Sequence, residues 1–411
     1  MKPSVLSTFL SYGVDPRRAI RQMKDLTVSI HCWQLDDVTG FDHAGDLSGG
    51  IQATGNHFGK ARNFEEMKAD LDEALSHIPG NKKINLHAMY QVGDKIVDRA
   101  EIGPEQFEGW VKYAKDRGYG LDFNPTLFAH PMVKEGLTLS SPDKEVRDYW
   151  IKHVKNSLKV SEYFARETGQ KTLCNIWIPD GFKETPADRM GPRQRLMDSL
   201  DEIFADGFRR ALVDVSLESK VFGIGVESYT TGSAEFYQAY CIRNHYLPLL
   251  DTGHFHPTEN VADKISSLCL YSPRVALHVS RPVRWDSDHI IKLNDDLQEV
   301  ADELVRCDML KNTYVGLDFF DASVNRVAAL VIGTRNMFKA VLRALCTPWH
   351  LLKEAQDSND HTRFLALQEE FRDLPYNEIW REYCRMQGVE EDASWLEKVE
   401  AYERDVLAKR K

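Results

Sequence analysis

Eight short apolar runs, each followed by a polar loop and in most cases by an amphipathic helical pattern, constrain this chain more than any other feature. The runs are 28–33, 83–89, 120–124, 172–178, 212–218, 246–252, 275–280 and 313–319. Helical spacing fills the gaps, for example over 64–77, 104–117, 144–168 and 193–208. Runs that are apolar throughout suit strands covered on both faces, and interposed helices make such strands parallel. Eight units favour an α/β fold of the closed (β/α)8 TIM barrel kind, whereas six or seven would suit an open sheet. The dinucleotide fingerprint is missing, because Gly223-Ile-Gly225 runs on into Val-Glu-Ser. Two segments stand outside the repeat. Residues 34–62 form a long loop containing Gly49-Gly-Ile-Gln-Ala-Thr-Gly-Asn56, and loops of that length are commonly lids. Residues 325–411 read as further helices, including 326–345 and 393–409. The expected division is therefore a catalytic barrel over 1–324 and a C-terminal helical extension over 325–411. Oligomer contacts are the extension's expected role, with simple capping of the barrel as the alternative.

The charge balance narrows the function. A formal net charge of -11 gives no support to nucleic-acid binding and little to strongly anionic substrates. No apolar stretch reaches the length of a membrane span, and residues 1–24 lack the apolar centre of a signal peptide. Cys32, Cys174, Cys241, Cys269, Cys307, Cys346 and Cys384 are scattered and include no CxxC pair, as expected of reduced thiols in the cytoplasm.

The chemistry gathers late in the chain. Asp251-Thr-Gly-His254-Phe-His256, then His278, then Asp286-Ser-Asp288-His289 bring imidazoles and carboxylates together without a thiolate. That donor set suits borderline-hard divalent ions such as Mn²⁺, Zn²⁺ or Co²⁺, and argues against a closed structural zinc site. In a barrel the active site lies at the C-terminal ends of the strands. Glu218, Asp251, His278 and Asp318 sit at or near the ends of the fifth to eighth runs, so four donors can converge on one ion. His254, Asp286 and Asp288 lie in the adjoining loops and form a second group. In extended backbone, Asp-x-Asp spacing puts both side chains on one side, where they can share a cation. Taken one at a time, these residues read equally well as helix caps and solvated loop charges; their joint placement favours metal.

Other groups fall at the same end. Lys220, two residues past Glu218, could steady a developing alkoxide, or be an ordinary surface lysine. His31 and Trp33, His87, Asn124, Trp177 with Asp180, and Phe320 with Asp321 follow the remaining strands. Aromatic rings beside polar groups are what a sugar pocket needs, although core packing explains most single tryptophans. His256 and His289 read as partners behind the ligands or as satisfied buried histidines. Arg281 and Arg284 could bind an anion, with ion pairing to the acidic loop as the plainer reading.

Longer motifs add a resemblance. His31-Cys-Trp-Gln34, Gly49-Gly-Ile-Gln-Ala-Thr-Gly-Asn56, Asn175-Ile-Trp-Ile-Pro-Asp-Gly181 and Gly253-His-Phe-His-Pro-Thr-Glu259 resemble the bacterial L-rhamnose isomerase family. So do the run from His278 to His289 and Gly316-Leu-Asp-Phe-Phe-Asp-Ala-Ser323, and the similarity extends nearly end to end. The resemblance implies a metal-dependent aldose–ketose isomerase converting L-rhamnose to L-rhamnulose in rhamnose catabolism, on a (β/α)8 barrel assembled as a homotetramer. It implies that Glu218, Asp251, His278 and Asp318 hold a substrate-anchoring metal. It assigns His254, Asp286 and Asp288 to a catalytic metal, usually Mn²⁺. Lys220 and His87 become substrate-oxygen contacts, and Trp177 and Phe320 pocket walls beside Trp33.

Isomerisation moves a hydrogen between C1 and C2 and a proton between O1 and O2. With the nearby carboxylates committed to metals, a hydride shift is expected in preference to an enediol, with Lys220, Asp286 and His87 as the catalytic side chains. The alternatives are a metal-dependent barrel epimerase or aldolase acting on a related sugar, or a sugar-binding protein with a structural metal.

Overall fold

The structure is a computed structural model that describes residues 1–410 apart from 43, 44, 46, 48–50 and 224. Gly49 and Gly50 of the loop motif, and Ile224 between the paired glycines, therefore lie outside the described residues.

All eight apolar runs form strands, and they close into a single parallel barrel. In chain order the strands are Thr27–His31, Asn81–His87, Gly120–Asn124, Thr172–Trp177, Val213–Glu218, Leu247–Asp251, Val275–Val279 and Thr313–Leu317. Each pairs with its neighbours in sequence, and the first pairs with the eighth. Every residue of the third, fourth, fifth, sixth and seventh strands is buried. That is why they read as continuous apolar runs, since barrel walls face side chains within and helices without.

The helices begin and end on local signals. Asn63 caps Phe64–Ser76 by accepting from the Glu66 amide, Asp143 caps Lys144–Thr168, and Asn294 caps Asp295–Arg306. Lys144–Thr168 stops at Gly169, which takes a left-handed φ of 69° that glycine adopts without strain. A two-stranded antiparallel ribbon, Gly181–Phe182 with Tyr229–Thr230, was not signalled by the sequence, because two-residue strands carry no periodicity.

Arg326–Cys346 packs against Asp295–Arg306, Phe64–Ser76 and the first strand. It thus occupies the place of the barrel's own eighth helix, and the helices lying beyond the barrel begin at Trp349. Within the described residues, no helix is long and apolar enough to cross a membrane.

The barrel interior is polar where it approaches the C-terminal mouth. Asn124 Nδ2 donates to Asn85 Oδ1 at 2.7 Å, and Asn175 Nδ2 donates to Asn124 Oδ1 at 3.2 Å. Ser216 Oγ donates to Asn175 Oδ1 at 2.8 Å. Asn124 is thus an interior rung of this ladder. Asp180, also expected at the mouth, is a structural residue. Its buried carboxylate accepts from the amides and hydroxyls of Thr138 and Ser140 at 2.6–2.9 Å. Asp180→Ala would leave those four donors unpaired and is expected to destabilise the fold by about 2–4 kcal/mol, seen as a lower denaturation midpoint.

Candidate active site

Strand register assembles the mouth. Trp177 lies opposite Glu218, Asp251 opposite His278, and His278 opposite Gly316. Donor atoms of Glu218, Asp251, His278 and Asp318 all fall within 4.8 Å of one another. Those of Asp251, His254 and Asp286 form a second such group, so Asp251 belongs to both. Two glycines make the approach possible. A Cβ on Gly253 would meet Asp286 Oδ1 at 2.5 Å, and one on Gly316 would meet the His278 ring at 2.8 Å.

The donor atoms crowd together without satisfying one another. His254 Nδ1 lies 3.1 Å from Glu218 Oε1, and His278 Nδ1 lies 3.2 Å from Glu218 Oε2 and 3.4 Å from Asp318 Oδ2. Yet Glu218 Oε1, Asp251 Oδ2, His254 Nδ1, both His278 ring nitrogens and Asp286 Oδ1 make no hydrogen bond, although all are buried. Buried polar groups are ordinarily paired. Metal-ligating atoms converging at these distances without hydrogen-bond partners fit a metal ion, and the cluster is able to hold one.

Neighbours fix the donors. Asn175 Nδ2 holds Glu218 Oε2 at 2.6 Å, and Trp33 Nε1 holds Asp318 Oδ1 at 2.8 Å. Lys220 Nζ donates to Asp286 Oδ2 at 3.0 Å and lies 5.2 Å from the Trp177 ring centre. The strand ends at Glu218, so Lys220 reaches the site from the loop that follows rather than from a prolonged strand, and it is buried.

Titration follows this crowding. Burial alone would raise the Glu218 carboxyl, but His278 and His254 beside it hold it below the usual carboxylate range. Asp286 behaves likewise against His254 and Lys220. Burial and the surrounding carboxylates push Asp251 and Asp288 well up. His254 and His278 are also pushed up; burial opposes this, but the adjoining carboxylates prevail. His87 lacks such a partner close by, so burial lowers it to about 3 and keeps its ring neutral. Its Nδ1 sits 3.2 Å from Thr126 Oγ1.

A cavity opens over the donors. Trp33, Val38, Ile51, Phe128, Trp177 and Phe320 make its apolar wall. His87, Lys220, His254, Asp286, Asp288 and Asp318 make its polar side. Nothing in the sequence marks Val38 or Phe128, and Ile51, Asn175 and the two glycines stand there only as members of motifs, without a role. Asn175 was within reach of sequence reasoning: two residues before Trp177 on one strand, it must face the same way.

Other expectations resolve differently. Asp288 lines the cavity but is in neither donor group, and its backbone is left-handed (φ 44°) rather than extended. The Asp-x-Asp argument from strand periodicity therefore does not describe this loop. His31 is fully buried, with Nε2 against the backbone of Phe319 and its ring against Trp33 and Phe319. Burial lowers it to about 4, as befits a neutral core histidine. His256 is exposed and bonds Thr258 Oγ1 at 2.7 Å, so it backs no donor. His289 bonds Ser287 Oγ at 2.9 Å. Arg281 Nε donates to the carbonyl of Ile290 at 3.0 Å, and Asp321 accepts from the amide of Ser323 at 2.9 Å.

A family model described as L-rhamnose isomerase (RhaA) matches residues 4–410. The chain belongs to the L-rhamnose isomerase family. The L-rhamnose isomerase of Listeria innocua is 52% identical over 403 residues, which cover 98% of this chain and 96% of that protein. The L-rhamnose isomerase of Enterobacter sp. (strain 638) is 53% identical with the same coverage. Among solved structures, an L-ribulose 3-epimerase superposes with a TM-score of 0.52 at 14% identity, over 77% of this chain and 95% of that one. That last likeness is one of fold. In this member of the L-rhamnose isomerase family, the long motifs from Gly253 to Glu259 and from His278 to His289 supply His254, His278 and Asp286 among the donors described above.

The upward shifts of Asp251, Asp288, His254 and His278 favour their protonated forms, with which a divalent cation would compete. Titration of the chelator-treated protein with Mn²⁺ is therefore expected to release about one proton or more per ion, with affinity rising as pH rises. Calorimetry in buffers of different ionisation enthalpy measures both.

Proposed function

We propose that this protein interconverts L-rhamnose and L-rhamnulose as an aldose–ketose isomerase of rhamnose catabolism. The observation that carries this reading is the juxtaposition, in a chain of that family, of two overlapping metal-capable donor groups with an aromatic-walled cavity. Glu218, Asp251, His278 and Asp318 would hold a substrate-anchoring ion. His254 and Asp286, with Asp251 shared and Asp288 alongside, would hold a second ion. Oxygen and imidazole donors without thiolate favour Mn²⁺ at this second position and Mn²⁺, Zn²⁺ or Co²⁺ at the first. Bound there, a divalent ion supplies Lewis acidity that polarises the sugar's O1 and O2.

The chain's own residues do the rest. Trp33, Trp177 and Phe320 cover the C–H faces of the open-chain sugar and exclude water from C1 and C2. His87, neutral at working pH, exchanges a hydrogen bond with a sugar hydroxyl. Lys220 Nζ donates to the carbonyl oxygen O1 and steadies the charge that grows there. Asp286, held by Lys220, helps carry the O2 proton to O1. The carbon-bound hydrogen passes from C2 to C1 as hydride, because the carboxylates nearest the cavity would be engaged with the ions or, in Asp286, with the O2 proton, and none is left to take a proton from carbon. The helices from Trp349 onward would carry homotetramer contacts, beyond a catalytic unit that ends with Arg326–Cys346. The scattered free cysteines suit the cytoplasm.

L-Rhamnose deuterated at C2 is expected to give L-rhamnulose that keeps the label at C1; loss of the label to solvent would replace this route with an enediol. A coupled ketose assay separates isomerisation from epimerase or aldolase chemistry. Asp251→Asn is expected to remove both ions and abolish turnover, whereas His254→Gln removes one, as read by metal analysis of the purified proteins.

A further inference from the structure

Residues 51–61 cross the barrel mouth between the first strand and helix Phe64–Ser76, and Ile51 forms part of the cavity wall. Val38, at the start of the same connection, forms another part. Asp37 and Val38 both have left-handed backbone, with φ of 60° and 61°. A β-branched residue adopts that conformation only where its surroundings hold it there.

Two side chains from far along the sequence do the holding. Arg326 is buried at the first turn of Arg326–Cys346. Its Nε and Nη2 grip the Asp37 carboxylate at 2.7 and 2.8 Å. Its Nη1 donates to the carbonyls of His57 at 2.8 Å and Phe58 at 3.3 Å. One guanidinium thus ties the two ends of the connection together. Glu403, in the helix Trp395–Asp405, supplies the second grip. Its Oε2 accepts from His57 Nε2 at 2.9 Å and from Asn325 Nδ2 at 2.5 Å. Asn325 in turn caps Arg326–Cys346 through the Ala328 amide.

Between these grips the strap lies directly on the segment that follows the eighth strand. His57 N donates to Ala322 O at 2.8 Å, and Ala322 N to Thr54 O at 3.1 Å. A Cβ on Gly55 would fall 2.2 Å from the Ala322 carbonyl carbon, so no side chain fits there. Ala322 stands two residues beyond Phe320, itself a wall of the cavity.

We propose that Glu403 is a positioning residue for the sugar pocket: with Arg326 it clasps residues 51–61 to the barrel mouth, so that Ile51 and Val38 keep their place as cavity walls. The C-terminal helix then contributes to sugar affinity without touching the sugar. The inference rests on the reading of that cavity as the sugar site.

The test uses the full-length, metal-loaded enzyme. Glu403→Ala is expected to raise KM for L-rhamnose about tenfold with kcat changed by less than about twofold, and to speed amide exchange in 51–61 but not in the barrel strands. Glu403→Gln, whose amide oxygen can still accept from His57, is expected to keep KM near the wild-type value. His57→Phe removes the same contact from the strap side and covers the case in which Glu403→Ala fails to fold. An unchanged KM, or a Gln variant as impaired as the Ala variant, would overturn the proposal. Should the wild-type enzyme fail to turn over L-rhamnose, the functional reading falls, and the exchange measurement alone decides whether the clasp exists.

Discussion

The burial of several carboxylates at one end of a parallel barrel is the constraint around which this molecule is arranged. Unit charges about 4 Å apart interact by about 4 kcal/mol in a protein-like dielectric, so the ionised forms of Glu218, Asp251 and Asp286 oppose one another unless a positive group intervenes. His278 and His254 draw Glu218 down, and His254 and Lys220 draw Asp286 down, while Asp251 and Asp288 are driven up. A cation at the convergence of their unpaired atoms resolves this conflict. The cluster is thus able to hold a metal ion on electrostatic grounds as well as by its choice of donors.

Everything around the cluster limits its freedom. The ladder through Asn85, Asn124 and Asn175 runs up the barrel interior and ends on Glu218. Trp33 reaches from beyond the first strand to Asp318, closing the ring of strands at the level of the donors. Gly253 and Gly316 are small because a carboxylate and an imidazole need the space a methyl group would occupy. The polar side of the cavity is thus rigid and built from strands. The opposite wall depends on a connection whose conformation is fixed by Arg326 and Glu403 from outside the barrel.

Much of this was legible beforehand, for identifiable reasons. Continuous apolar runs mark strands buried on both faces, and eight of them close a barrel, so donors at the ends of the fifth to eighth strands had to share a mouth. Glu218, Asp251, His278 and Asp318 could be grouped on that ground alone. Reasoning failed where a side chain's environment, rather than its place along a strand, decides its role. Asp180 follows the fourth strand as Asp318 follows the eighth, yet it turns away to bind the Thr138–Ser140 loop. His31 ends a strand as Glu218 does, yet packs against Phe319 as a neutral core ring. Asp288, read as sharing a side with Asp286 in extended backbone, has a left-handed backbone instead, although it still lines the cavity.

The sequence by itself determined the barrel, the end of it that carries chemistry, the kinds of donor gathered there and the family. Each of these depends on residue type and regular spacing, which are local quantities. Tertiary structure alone decided that Asp251 serves two donor groups, that Asn175 orients Glu218, and that Lys220 reaches Asp286 from a loop. It alone tied the strap at His57 to Glu403, across 346 residues of chain. Such pairings follow from strand register and from how distant segments pack, and no periodicity within a single segment encodes them.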